Sequence, residues 1–237
     1  MSCKLKIIWS VVILFSIILN SGCYKNTITN SDDILSASPL IIIDAGHGGV
    51  DPGAIAGEIY EKNINLSIAL KLKDYCNKFG FETKMLRTED ISLHDEDAKT
   101  IHQKKVSDLK NRVEIANSAE NAIYISIHQN TFGESKYFGA QVFYGINEKS
   151  KHLAEFIQTN LKENLQENNN RKIKNGKNLY ILKNIKIPAV MVECGFMSNK
   201  EDLKNLTDEI YQNNFSEVLF NGILKYIEDV EIHVGET

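Results

Sequence analysis

Four residues of types suited to hydrolytic metal chemistry, His47, Glu61, His128 and Glu193, stand at or just beyond segments that read as buried strands. His47 follows the apolar run Leu40-Ile-Ile-Ile-Asp-Ala and sits in the turn Gly46-His-Gly-Gly49, where small residues leave the imidazole free to approach an ion. His128 closes Ala122-Ile-Tyr-Ile-Ser-Ile-His128, and Glu193 closes Pro188-Ala-Val-Met-Val-Glu193. In an open α/β sheet, polar residues at the carboxyl ends of strands converge on one edge. Two His and one carboxylate make a common catalytic zinc set that leaves a position for water. A further carboxylate, off the metal, can take that water's proton.

Each residue alone has a structural alternative. A strand-end His is often satisfied by the backbone, and Glu61 at a helix start also complements the helix dipole. Within Ile125-Ser-Ile-His-Gln-Asn130 the period of two puts Ser126 and His128 on one side and Ile125 and Ile127 on the other. Glu193 is more telling, because Val190, Met191 and Val192 place it on an interior strand, where an ionised carboxylate needs a cation or hydrogen bonds. Cys194 raises a rival, a thiol nucleophile with a His base. Successive strand side chains alternate, however, so Cys194 faces away if Glu193 faces the site. His94, Asp95, Asp97 and His102 form a lesser metal candidate in a polar loop, and Arg87 and Arg112 suit either substrate carboxylates or a structural ion pair.

The elements that must position these residues alternate along the chain. Spacing predicts helices over 61–79, 108–119, 150–165 and 208–227, and strands over 81–87, 122–128, 139–145, 179–182 and 189–193 beside the opening one. That order implies a single α/β domain, with a twisted, mostly parallel or mixed central sheet and helices on both faces. The polar stretches 88–107 and 164–178 fit no element and are placed to flank a substrate groove.

With 237 residues, 43% hydrophobic and 24% charged, one catalytic domain is expected. A net charge of -4, from 27 basic and 31 acidic residues, argues against a nucleic-acid partner. Lys4 and Lys6 precede an apolar run, Ile7 to Leu19, of about 13 residues, which as a helix would span about 20 Å against a ~30 Å hydrocarbon core. It reads as a secretory or anchoring segment that places the domain outside the cytoplasm, secreted or membrane-anchored. Ser21-Gly-Cys23 invites lipidation of Cys23, although Asn20 stands where a leucine is preferred. The expected organisation is a signal or anchor over 1–22, a polar linker over 23–38, a catalytic domain over 39–230 and a tail over 231–237. Cys76 and Cys194 show no disulfide spacing and are expected as buried thiols.

Five segments then act together: Asp44-Ala-Gly-His-Gly-Gly49, Glu61-Lys-Asn-Ile-Asn-Leu66, Asn111-Arg-Val-Glu-Ile-Ala-Asn117, Ser126-Ile-His-Gln-Asn130 and Val192-Glu-Cys-Gly-Phe-Met-Ser-Asn199. From about Pro39 to Ile227 the chain resembles the zinc-dependent N-acetylmuramoyl-L-alanine amidases of the amidase-3 type. The resemblance implies one Zn2+ held by His47, Glu61 and His128, with Glu193 as the catalytic carboxylate. It implies hydrolysis of the peptidoglycan amide between the lactyl group of N-acetylmuramic acid and L-alanine. Asn130 and Arg112 are the candidate substrate contacts. A lone domain behind a short hydrophobic segment resembles most the germination-specific, CwlD-like members. That implies a spore-cortex substrate, muramic-δ-lactam formation and a place in the spore intermembrane space or cortex. An accessory protein partner stays open, as do a non-catalytic peptidoglycan-binding or scaffold role and a zinc peptidase or deacetylase on another substrate. Gln129 departs from the frequent Ala of the pattern.

Overall fold

β1 (Leu40–Ala45) opens the sheet in a computed structural model that describes residues 38–234. The expected export segment and all but the last residue of the linker lie outside the described residues. Alternation along β1 sends Ile41, Ile43 and Ala45 to one side and Ile42 and Asp44 to the other. On the first side lie α1 (Glu61–Lys78), α3 (Glu148–Asn164) and α6 (Glu209–Val234), joined to the sheet through Ile68, Leu72, Leu153, Ile157, Phe215 and Phe220. On the second side lie α2 (Ile101–Asn117) and α4 (Tyr180–Asn184), which bring Leu109, Val113, Ile181 and Leu182 to Ile42, Tyr124 and Met191. Each fully buried Leu, Ile or Phe contributes about 1.5–3 kcal/mol, so the two interfaces together hold the layers.

The sheet order is β4-β1-β5-β8-β6-β7, with β4 (Thr83–Met85), β5 (Ala122–Asn130), β6 (Gln141–Tyr144), β7 (Lys174–Asn175) and β8 (Ala189–Phe196). β4, β1, β5 and β8 are mutually parallel, and β6 runs antiparallel to β8. The sheet is therefore mixed, with helices on both faces, as the order of elements implies. A separate two-stranded ribbon, β2 (Ile55–Ala56) with β3 (Ile59–Tyr60), precedes α1.

The helices depart from the sequence expectation at four points. Helix α2 begins at Ile101 rather than Asp108, because Thr100 and Gln103 form a reciprocal cap: Gln103 N donates to Thr100 Oγ1 at 3.1 Å, and Thr100 N donates to Gln103 Oε1 at 3.0 Å. Its first turn is solvated, with Ile101 77% exposed, so no apolar period marks it. Residues 179–182 join a helix, not a strand. A four-residue apolar run does not distinguish the two, and both neighbours of β8 in the sheet are already β5 and β6. A short helix, α5 (Lys200–Leu206), forms where none was expected, capped by Asn199 Oδ1 accepting from Glu201 N and Asp202 N. Helix α6 continues to Val234, past the expected end at Ile227.

Candidate metal centre

The turn after β1 carries His47 at φ 61°, a left-handed conformation that few non-glycine residues adopt. Two buried arginines hold it by its carbonyls. Arg87 donates from Nε to Ala45 O at 2.8 Å and from Nη2 to Gly46 O at 3.0 Å. Arg112 donates from Nη2 to His47 O at 2.8 Å and from Nε to Asp108 at 2.6 Å, and its Nη1 bonds Asp44. Asp44 also accepts from the hydroxyls of Tyr124 and Ser126, the latter at 2.9 Å. Burial works against the Asp44 charge, yet Arg112 and these hydroxyls hold its carboxyl below the usual carboxylate range. Of the two roles open to Arg112, the geometry shows the ion pair: its side chain is 1% exposed and its fork is committed.

Glu61 is the first residue of α1 and reaches over the carboxyl edge of the sheet. Its Oε2 accepts from Ala54 N at 2.8 Å, and its Oε1 accepts from Gln129 N at 3.0 Å and Asn65 Nδ2 at 3.2 Å. Around Oε1 stand His47 Nε2 at 3.1 Å and His128 Nδ1 at 3.1 Å. The imidazoles meet edge to face with centroids 4.8 Å apart. One donor atom from each of His47, Glu61 and His128 lies within 4.8 Å of the others, and among the described residues these three form the metal-capable cluster. Two nitrogens and one oxygen, brought from three different elements, suit a single Zn2+ with an open position.

A supporting carboxylate completes the set. Asp51 Oδ2 lies 2.9 Å from His47 Nδ1, which turns Nε2 toward the cluster in the manner of a carboxylate–histidine–metal relay. Burial opposes charge on His47, but the hydrogen bonds to Asp51 and Glu61 raise its imidazole to about 9. The same contacts carry both carboxyls far down, Asp51 chiefly through His47, and Glu61 through His128 and His47 against its own burial. So much negative charge around two imidazoles suits a cation. Glycines make the room: a Cβ on Gly46 would lie 2.1 Å from His128 Nε2, and one on Gly53 would lie 2.5 Å from Glu61 Oε2.

Glu193 on β8 pairs in register with His128 on β5, so both side chains leave the sheet on the face that carries Asp44, Ser126 and Met191. Its buried Oε2 has no hydrogen-bond partner. Burial pushes its carboxyl up to about 7. Cys194 points the other way into the α1–α3–α6 core, where burial raises its thiol far above its ordinary range, so it is no nucleophile at this edge. Asn130 stands half-buried at the end of β5, with its carbonyl accepting from Met197 N at 2.8 Å. His94 and Asp95 do not gather a second metal: His94 Nδ1 bonds Ser92 Oγ at 2.8 Å, and Asp95 accepts from Ser107 and Asn111.

A cleft of about 190 Å³ opens over His47 and His128, walled by Lys105 and Leu109 of α2 and by Tyr180 and Ile181 of α4. A larger cavity of about 510 Å³, lined by Asn164–Asn169, Asp202 and Tyr211, includes none of the four residues. The sequence missed Asp51, Asn65 and the caging of the His47 turn by Arg87 and Arg112. Asp51, in the glycine-rich turn four residues after His47, left the only visible signal.

The family model described as N-acetylmuramoyl-L-alanine amidase (Amidase_3) matches residues 41–225. The chain is 34% identical over 230 residues to the germination-specific N-acetylmuramoyl-L-alanine amidase of Bacillus subtilis, with 94% of this chain and 96% of that protein covered. It is similar, at TM-score 0.78 and 43% identity over 81% of this chain and 99% of the other, to the CwlD amidase from Clostridioides difficile solved in complex with the GerS lipoprotein. An N-acetylmuramoyl-L-alanine amidase from Clostridium difficile 630 matches at TM-score 0.70 and 27% identity, over 81% of this chain and 98% of that one. The matched span holds the three-residue cluster, its Asp51 support and Glu193, and the chain belongs to the amidase-3 family of N-acetylmuramoyl-L-alanine amidases.

Proposed function

We propose that this chain hydrolyses the amide between the lactyl group of N-acetylmuramic acid and L-alanine in peptidoglycan, with Glu193 as its proton carrier. One observation carries this reading: three convergent metal donors stand beside a buried carboxylate oxygen that no protein group satisfies. A zinc ion on His47, Glu61 and His128 would supply a water of lowered pKa and a polarised amide carbonyl. Glu193 Oε2 takes the proton of the attacking water and returns it to the departing alanine nitrogen. Burial favours the protonated form of this carboxyl, which suits a group that must hold the proton before returning it. Asp51 keeps His47 Nε2 aimed at the metal, Asn130 contacts substrate from the end of β5, and Arg112 acts by holding the His47 turn rather than by meeting substrate.

The germination-specific relative supports spore-cortex peptidoglycan as the substrate, and with it muramic-δ-lactam formation and an extracytoplasmic location. The relative solved with a lipoprotein supports an accessory lipoprotein as the partner class. No helix among the described residues is long and apolar enough to cross a membrane. The basic start and apolar run within residues 1–22 support membrane attachment there, ahead of a linker at 23–38. Mass spectrometry of digested cortex peptidoglycan tests the reading. Stem peptides freed from muramic acid, and lost with a chelator, are expected; cleavage elsewhere, or chelator-insensitive release, would refute it.

A further inference from the structure

The segment between α3 and α4 holds Arg171-Lys-Ile-Lys-Asn-Gly-Lys177, four cations without an acid on a chain of net charge -4. Such a run is ordinarily a solvated face. Here it is joined to Glu193 through the sheet. Lys174 and Asn175 form β7 and pair with β6 at Phe143 and Tyr144, while Gln141 of β6 pairs with Glu193 of β8. Paired residues share a face of the sheet, so the Gln141 side chain stands beside that of Glu193.

Arg171 is tied to that point. It donates from Nη1 to Gln141 Oε1 at 3.2 Å and from Nε to Phe138 O at 2.7 Å. Its guanidinium lies 4.3 Å from the centroid of the Phe196 ring and 5.9 Å from that of Tyr137. Both acceptors are neutral, and Nη2 makes no hydrogen bond among the described residues. Asp202, the carboxylate that acts on Arg171 through space, accepts from Gly139 N at 2.9 Å and Phe196 N at 2.8 Å. The result is a half-buried, stacked and oriented fork with one edge unused, a geometry matched to a carboxylate. Lys174 adds a second cation on β7, 5.6 Å from the Phe143 ring centroid.

Building on the amidase reading, we propose that Arg171 binds a carboxylate of the stem peptide just beyond the alanine whose amide is cut, and so selects acidic over amidated peptides. Strands lie ~4.8 Å apart and an extended residue spans ~3.5 Å, so an offset of one strand corresponds to the first or second peptide residue past the alanine.

The test uses two N-acetylmuramoyl-L-alanyl peptides that differ only in whether the next residue's carboxylate is free or amidated. Wild-type protein with zinc is expected to favour the free acid by about tenfold in kcat/KM, mostly through KM, as suits one charge-assisted bond partly screened by solvent. In Arg171→Gln that ratio falls toward one, and in Arg171→Lys it is intermediate. A wild-type ratio near one, or an undiminished ratio in the folded variants, overturns the proposal. The wild-type measurement stands even if a variant fails to fold. If neither peptide is cut, equilibrium binding separates the two readings: tighter binding of the acid keeps the carboxylate site and removes the amidase reading, and equal binding removes both.

Discussion

Replacing Glu193 by Gln is expected to cut turnover by orders of magnitude while making the metal-free protein more stable. The buried Oε2 has no partner, and burial takes the carboxyl from its ordinary 4.5 to about 7. By linkage that rise corresponds to about 3 kcal/mol. The sign follows from the raised folded value: the stability carried by protonated Glu193 is full below pH 4.5 and is lost as pH rises through about 7. Glutamine keeps the shape and cannot ionise, so its advantage over wild type grows with pH. Between pH 5.5 and pH 8 the gap should widen by about 2 kcal/mol, or about 4–8 °C in Tm for a domain of this size. Denaturant and thermal unfolding in chelator measure it, with metal analysis and muropeptide turnover run alongside. Zinc stoichiometry should be kept, because Glu193 is outside the donor cluster, while kcat falls roughly 10²–10⁴-fold. A variant that is less stable at pH 8, or that loses zinc, would refute the assignment of Glu193 as a buried, unpartnered base that does not ligate the metal.

Asp51→Ala should weaken zinc binding roughly 10–100-fold, because His47 loses the carboxylate on its Nδ1; competition with a chromogenic chelator measures this, and unchanged affinity would sink the relay. His47 is held at about 9 and must be neutral to ligate, so apparent zinc affinity should climb about tenfold per pH unit from 7 to 8 and level off above about 9. A flat profile in the same competition assay would count against that coupling. Gly46→Ala puts a Cβ 2.1 Å from His128 Nε2, which must move, so zinc content and turnover should both fall in a protein whose circular dichroism stays native. Full zinc occupancy in that variant would show that the close approach does not matter.

The parallel core of the sheet was legible because β1, β5 and β8 open with apolar runs, and period-two alternation placed Glu193 and Cys194 on opposite faces; the ends were not, since β5 and β8 continue past His128 and Glu193 to Asn130 and Phe196. Helix α1 was legible from its apolar period and from Gly80, whose φ of 84° suits the glycine stop. The start of α2 was readable in principle from the Thr100–Gln103 cap, but its solvated first turn hid it from apolar periodicity. Residues 179–182 were misread because four apolar residues fit a strand or a helix equally until the places beside β8 are known to be filled.

The sequence by itself determined the donor types, the strands that carry His128 and Glu193 and the family pattern around them, because these are local matters of periodicity and residue chemistry. Convergence was decided only by the tertiary structure. The meeting of His47, Glu61 and His128 depends on strand order and on two buried arginines that grip the turn after β1, contacts made across 41 to 67 positions of chain. The pairing of Asp51 with His47, the unsatisfied Oε2 of Glu193 and the placement of Arg171 one strand away likewise have no local signature. They follow from burial and from register between strands, which no stretch of the chain specifies alone.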